Sequence, residues 1–315
     1  MTSRAILVYH PDAAETRAYA ELVRLPRPTL SVRVASTADE AADLVVETEI
    51  LYGWQFPTAL LRRAPKLGWI QSMGAGVERF LVPDLPRKVI LTRAAGVFGP
   101  WMAEYTLGWC LWVTQRMELF RTQQRQRRWV EMNPTRLGGA TMCLVGLGDI
   151  GRAIARSARA LGMRVIAVTR SGRRAPEAAR VYKTSTIRQA LAQADFVVVT
   201  VPLTPSSHDL IGTRELAAMK PTAWLINVGR GPVVDEDALI AALDEKRIGG
   251  AVLDVFNREP LLLDHPLWGM DNVVITPHIS GPSTPAEISP IFNENLRRYL
   301  TGRPLKHVVD RTRGY

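Results

Sequence analysis

"TMCLVGLGDIGRAIARSARALGMRVIAVTRSGRR", residues 141–174, decides how this chain is read. An apolar run, Thr141 to Val145, leads into Gly146, Gly148 and Gly151, the spacing G-x-G-x-x-G. A helical pattern follows, then a second apolar run ending at Thr169. A glycine triplet alone is a weak signal, but between a strand and a helix it marks a dinucleotide-binding turn. The first glycine permits the tight turn, the second lets the backbone approach a pyrophosphate, and the third lets helix pack on strand. The helix N-terminus offers N–H groups to phosphate oxygens. Asp149 and Ile150 lie inside this turn and are expected to contribute backbone, with the Asp149 side chain capping the helix.

The end of the second run identifies the cofactor. An acidic residue about 20 positions past the glycines normally accepts from the ribose 2′-OH of NAD. Here the chain reads Thr169, Arg170, Ser171, then Arg173 and Arg174. A carboxylate would repel a 2′-phosphate, whereas guanidinium and hydroxyl groups pair with one through charge-assisted hydrogen bonds. The turn predicts NADP(H) in preference to NAD(H).

The surrounding chain alternates strands and helices throughout its 315 residues, a length that suits two domains. "AILVY", "SVRVA", "EILYG", "GWIQS" and "VILTR" read as strands before residue 98, with helices at "AAETRAYAELV" and "PTALLRRA". "TMCLVG", "MRVIAVT", "ADFVVVTVP", "AWLINVG", "GGAVLDVF" and "NVVITPH" read as strands after residue 140. Between the two sets runs a long helical pattern from Trp101 to Trp129, preceded by Pro100. The fold class is α/β: two Rossmann/flavodoxin-like domains with parallel sheets. Proline–glycine clusters at 96–100 and 280–285 suggest an insertion. The expected domains are 1–98 plus 283–315, for substrate, and 99–282, for the dinucleotide.

Composition narrows the function classes. A hydrophobic fraction of 47% excludes a disordered chain. Two cysteines, Cys110 and Cys143, cannot form a disulfide framework and suit a reducing cytoplasm. Neither has metal-type spacing, so no metal is expected. No run suits a signal peptide or membrane span. The net charge of +10 could attract nucleic acid, but the dense segment "RTQQRQRRW" (121–129) carries no nucleic-acid module. It reads as a solvated helix face, with attraction of an anionic cofactor or substrate as the lesser alternative.

Three segments carry candidate acid–base chemistry. "LINVGRGPVVDEDAL" puts Arg230 at a strand exit between two glycines. "AVLDVFNREPL" puts Asp254 at another exit, with Glu259 five residues later. "VVITPHISG" puts His278 just past a third strand. Ligands of open α/β sheets bind beyond the carboxyl ends of strands, so arginine, acid and histidine could converge on one crevice. A histidine there can exchange a proton near neutral pH.

The ordered motifs "GLGDIG", "INVGRG", "LDVFNREPL…PLW" and "TPHISG" resemble those of the D-2-hydroxyacid dehydrogenases, over nearly all of the second unit. "SMGAGVERF" (72–80) resembles that family's substrate-carboxylate loop. Arg170-Ser171 and the ending "VVDRTRGY" are similar to its glyoxylate/hydroxypyruvate reductase A branch. The resemblance implies NADPH-dependent reduction of a short 2-keto acid to the D-2-hydroxy acid, with Arg230, Glu259 and His278 as the catalytic residues. His278 would donate the proton, Glu259 would favour its charged form, and Arg230 would bind substrate. It places Asp254 against the nicotinamide amide, and Val201, Pro202, Val228, Gly229 and Met102 in the cofactor set. Gly74, Ala75 and Gly76 would hold the substrate carboxylate. Trp54, with Phe98 and Trp101, either narrows a pocket for small substrates or packs in the core or an interface. It also implies a homodimer through the 101–129 helix. A nucleotide-sensing protein of the co-repressor type and a formate-type dehydrogenase are the alternatives.

Overall fold

The structure, a computed structural model, describes residues 4–25, 30–83 and 85–315. It divides into two units, residues 1–97 with 283–315, and residues 98–282.

The first unit begins β1 (Arg4–Tyr9), α1 (Ala13–Glu21), β2 (Leu30–Ala35), α2 (Ala38–Leu44), β3 (Thr48–Gly53), β4 (Trp69–Ser72) and β5 (Ile90–Thr92). The sheet order is β2-β1-β3-β4-β5, with every pair parallel. Buried on both faces, β1 reads as a nearly continuous apolar run, while β4 is buried throughout although it ends in Gln71 and Ser72. Asp12 caps α1 by accepting from the Ala14 and Glu15 N–H groups, and Thr37 with Glu40 forms a capping box on α2. The helix expected at "PTALLRRA" is instead a 3₁₀ segment, Thr58–Arg63. Its bonds close three residues back, as in Leu60 N–H to Pro57 O, the tighter geometry short segments adopt.

The second unit opens with α3 (Phe98–Thr114) and α4 (Met117–Arg125). The single helix expected over 101–129 is therefore two. Arg116 takes a left-handed φ of 53°, which breaks the ladder, and the second helix stops at Arg125. Apolar residues continue on both sides of the break, so periodicity carries across it unmarked. Pro100 lies in the first turn of α3, where its missing N–H costs no bond.

There follow β6 (Thr141–Val145), α5 (Asp149–Ala160), β7 (Arg164–Thr169), β8 (Arg180–Lys183), α6 (Ile187–Leu191), β9 (Phe196–Val199), α7 (Thr213–Leu216), β10 (Trp224–Asn227), α8 (Glu236–Asp244), β11 (Gly250–Leu253) and β12 (Val273–Ile275). The order β12-β11-β10-β9-β6-β7-β8 is again wholly parallel. The strand order reverses between β6 and β9, the position where such sheets bind dinucleotides. Strand β8 is absent from the strands read in sequence. It is a four-residue edge strand with charged ends, which masks the pattern.

Helix α9 (Pro285–Leu300) completes the first unit, burying Ile288, Phe292 and Leu296 along one stripe. Phe292 stacks on Tyr52 at 4.1 Å between centroids and on Trp69 at 5.2 Å. Asn295, fully buried, donates to Gln71 Oε1 and to Lys306 O, and accepts from Lys306 N–H. Further on, the Arg311 guanidinium donates to the carbonyls of Leu85, Pro86 and Val89, tying the tail to the loop before β5. Among the described residues, no helix is long and apolar enough to cross a membrane.

Candidate active site

The glycine turn leaves β6 at the reversal point. Gly146 has φ +107°, and a Cβ there would lie 2.7 Å from Thr200 Oγ1 and 3.0 Å from Val201 Cγ1. A Cβ on Gly151 would lie 2.4 Å from Gly146 O. Both positions are closed by the protein's own packing. Gly148 differs: a Cβ there would meet nothing within 4 Å. Gly148, not Asp149, occupies the N-cap of α5, so Asp149 is the first helical residue. Its charge still suits the positive end of the helix. Ile150 and Gly151 complete the first turn. With no side chain over the cap, this cradle fits a pyrophosphate.

At the exit of β7, the Thr169 hydroxyl accepts from Gly172 N–H at 3.0 Å, and Ser171 Oγ accepts from Arg173 N–H at 3.3 Å. These bonds shape the turn and leave both hydroxyl protons to donate outward. Arg170, Ser171 and Arg173 are exposed. Lys183, overlooked in sequence, pairs in register with Thr169, and its side chain covers Gly172, with Cγ 2.6 Å from where a Cβ would sit. A stripe of cations thus follows the turn.

Beyond β9, Val201 lies against Gly146, and Pro202 O accepts from Ser207 Oγ at 2.7 Å, closing the loop. His208, exposed, pairs with Asp209 at 2.8 Å.

The β10 exit is bracketed by Asn227. Its side chain accepts from Gly229 N–H and donates to Arg230 O, and Val228 N–H bonds to Val199 O. Arg230 Nη1 donates to Gly229 O at 2.7 Å. A Cβ on Gly231 would lie 2.0 Å from Phe256 C, so only glycine lets the β10 and β11 exits touch. That contact brings Arg230 towards Glu259. Glu259 Oε2 lies 2.8 Å from His278 Nδ1, and Oε1 accepts from Phe256 N–H at 3.1 Å. Burial pushes the Glu259 carboxyl up. The bonds to His278 and Phe256, with the charges of His278 and Arg230, outweigh it and hold the carboxyl below its usual range.

His278 has φ +56°, left-handed for a residue with a side chain. Asp254, fully buried, accepts from Thr276 Oγ1 at 2.6 Å, Ile279 N–H at 2.8 Å and Ser280 N–H at 2.9 Å. Asp254 thus supports the histidine loop from below. Met102 is buried on α3, with Phe98, against Gly281. Trp101 is exposed. Among the described residues, no three His, Cys, Asp or Glu side chains are grouped closely enough to hold a metal ion.

In the first unit, the loop after β4 holds Gly74, Ala75 and Gly76. A Cβ on Gly74 would lie 2.1 Å from the Trp54 ring, so the indole lies directly over this glycine. Ser72, also overlooked in sequence, accepts from Gly74 N–H at 3.2 Å and donates to Gly76 O at 3.3 Å. Ser72 thus engages the Gly74 N–H and the Gly76 carbonyl and bonds to neither the Ala75 nor the Gly76 N–H.

The chain is similar to known proteins. Residues 107–280 match the family model for the D-isomer specific 2-hydroxyacid dehydrogenase NAD binding domain. The chain is 37% identical over 252 residues to a glyoxylate reductase of Thermofilum pendens, covering 76% of this chain and 74% of that protein. It is 34% identical to glyoxylate/hydroxypyruvate reductase B of Escherichia fergusonii, covering 87% and 88%. The solved NADPH-dependent glyoxylate/hydroxypyruvate reductase of Sinorhizobium meliloti, in complex with NADP and sulfate, superposes with a TM-score of 0.91. That likeness spans 99% of this chain and 100% of that one, at 28% identity. With a matching family model over more than half its length and relatives above 30% identity along most of it, the chain is an oxidoreductase belonging to the D-isomer specific 2-hydroxyacid dehydrogenase family.

Proposed function

We propose that this chain uses NADPH to reduce a short 2-keto acid, such as glyoxylate or hydroxypyruvate, to the D-2-hydroxy acid. The observation that carries this reading is the 2.8 Å contact between His278 Nδ1 and Glu259 Oε2. With Nδ1 engaged, Nε2 is the nitrogen that gives a proton to the carbonyl oxygen and recovers it in the reverse reaction. Glu259, held ionised, fixes the ring and balances its positive charge. Arg230 offsets the negative charge that develops on the carbonyl oxygen. The N–H groups of Ala75 and Gly76 receive the substrate carboxylate. The reduced nicotinamide, when bound, supplies the hydride. Gly146, Gly148 and Gly151 would seat the pyrophosphate, and Thr169, Arg170, Ser171, Arg173 and Lys183 the 2′-phosphate.

We also place a homodimer contact at α4 and the segment after it. Met117, Phe120 and Val130 are exposed there, and Trp129 is 93% exposed. Isolated apolar side chains are normal on a surface, but a cluster of them marks an interaction site.

The test is NADPH and NADH consumption across a panel of 2-keto acids, with His278→Ala alongside. NADPH-dependent turnover that His278→Ala removes, with NADPH affinity retained, is the expected result. Tight NADPH binding without turnover of any keto acid would instead mark a nucleotide-sensing protein.

A further inference from the structure

Helix α3 carries a polar side chain that the chemistry above leaves unused. The Tyr105 hydroxyl lies 2.6 Å from Thr276 Oγ1, and Thr276 Oγ1 lies 2.6 Å from Asp254 Oδ1. Thr276 Oγ1 donates its single hydroxyl proton to Asp254 Oδ1. Tyr105 must then be the donor to Thr276. The chain has one direction: Tyr105 to Thr276 to Asp254. Asp254 spends its other contacts on the Ile279 and Ser280 N–H groups, the two amides that follow His278. His278 itself is held in a left-handed conformation that a side chain disfavours and that only a surrounding structure can maintain.

We propose that Tyr105 and Thr276 are positioning residues for the acid–base pair. Through Asp254 they pin the backbone at 279–280, which keeps the His278 ring in register with Glu259. This rests on the proposed role of His278. The effect of the two hydroxyls passes through the loop they hold. Reaction rates are steeply sensitive to small misplacements of a proton donor, so loss of the clamp should appear in kcat before it appears in binding.

The experiment compares Thr276→Val, Thr276→Ser, Tyr105→Phe and His278→Ala in the full-length protein. Readouts are kcat, KM for the keto acid, NADPH affinity and amide hydrogen exchange over 277–282 without cofactor. Thr276→Val should lower kcat by about tenfold or more, with KM and NADPH affinity held within about threefold. Thr276→Ser, which restores the hydroxyl, should recover most of the rate. Exchange at Ile279 and Ser280 should speed up in Thr276→Val and Tyr105→Phe while the rest of the unit keeps its protection. Wild-type kcat in both of these variants, or a loss that falls equally on NADPH affinity, overturns the proposal. If Thr276→Val does not fold, Tyr105→Phe decides, since it removes one oxygen and keeps the ring. If His278→Ala keeps its turnover, the functional reading has failed. If His278→Ala is inactive while the hydroxyl variants are normal, only the positioning claim has failed.

Discussion

His278 Nδ1 lies 2.8 Å from Glu259 Oε2, and the second oxygen of that carboxylate is held by Phe256 N–H. Both Glu259 oxygens are engaged, so the carboxylate cannot rotate away without giving up a bond. The pair is also wet: about 45% of the histidine side chain and 39% of the glutamate remain exposed. The geometry is fixed while the imidazole stays accessible, as a proton donor requires.

Replacing Glu259 by Gln keeps the shape and removes the charge. An amide can also present its NH₂ group to Nδ1 and impose the wrong tautomer. A loss in kcat of roughly 10²–10⁴ is expected, the range typical for general acid–base assistance, with NADPH affinity unchanged in a fluorescence titration. The same carboxylate should set an acid limb. Its pKa in the folded protein is lowered, so its contribution is present above the unfolded value and is lost as pH falls through the lower folded value. Steady-state rates taken downward in pH should show no Glu259-linked loss until below the ordinary carboxylate range. A wild-type break within the ordinary range would contradict this assignment.

Cofactor choice can be tested at the turn after β7. Arg170→Asp places a carboxylate where NAD-binding relatives of the fold carry one. It should weaken NADPH relative to NADH by at least about tenfold in kcat/KM, equivalent to about 1.4 kcal/mol. Lys183→Glu should act in the same direction although it stands on the neighbouring strand. An unchanged ratio in Lys183→Glu alone would remove that residue from the phosphate site and leave Arg170 in it.

Lys183 shows where sequence stops informing. The glycine turn was legible because its signals are local: apolar run, spacing, helix. Arg230, Asp254 and His278 were legible because each follows a strand whose pattern is strong. Lys183 sits on a short edge strand, and its place beside Thr169 depends on register between β7 and β8, which no local pattern records. Tyr105 and Thr276 are 171 residues apart in the chain, so their bond exists only in the folded unit. The break at Arg116 was hidden for the opposite reason. A single left-handed residue leaves no mark in an apolar periodicity that resumes immediately.

In the first unit, Ser72 braces the 74–76 loop, the proposed carboxylate site, by bonding to Gly74 N–H and Gly76 O. Ser72→Ala loses both. Each net hydrogen bond contributes about 0.5–1.5 kcal/mol, so losing two should raise KM for the keto acid by about 5-fold or more. The kcat should move far less if, as proposed, the loop receives the substrate and exchanges no proton with it. A kcat loss larger than the KM rise would place Ser72 in the chemistry instead.

Gly148 and Gly151 separate binding from packing within one motif. At Gly151 a Cβ would collide with Gly146 O, so Gly151→Ala should distort the β6–α5 junction and lower thermal stability in the absence of any ligand. At Gly148 a Cβ would enter open space, and the backbone φ of −78° suits any residue. Gly148→Val should therefore melt close to wild type. Its side chain would still stand where the pyrophosphate approaches the helix N-terminus. The expected result is loss of NADPH binding by about 100-fold or more, or about 2.7 kcal/mol, in a protein whose melting curve is otherwise normal. If NADPH raises the melting temperature of Gly148→Val as much as that of wild type, the phosphates do not lie over this cap.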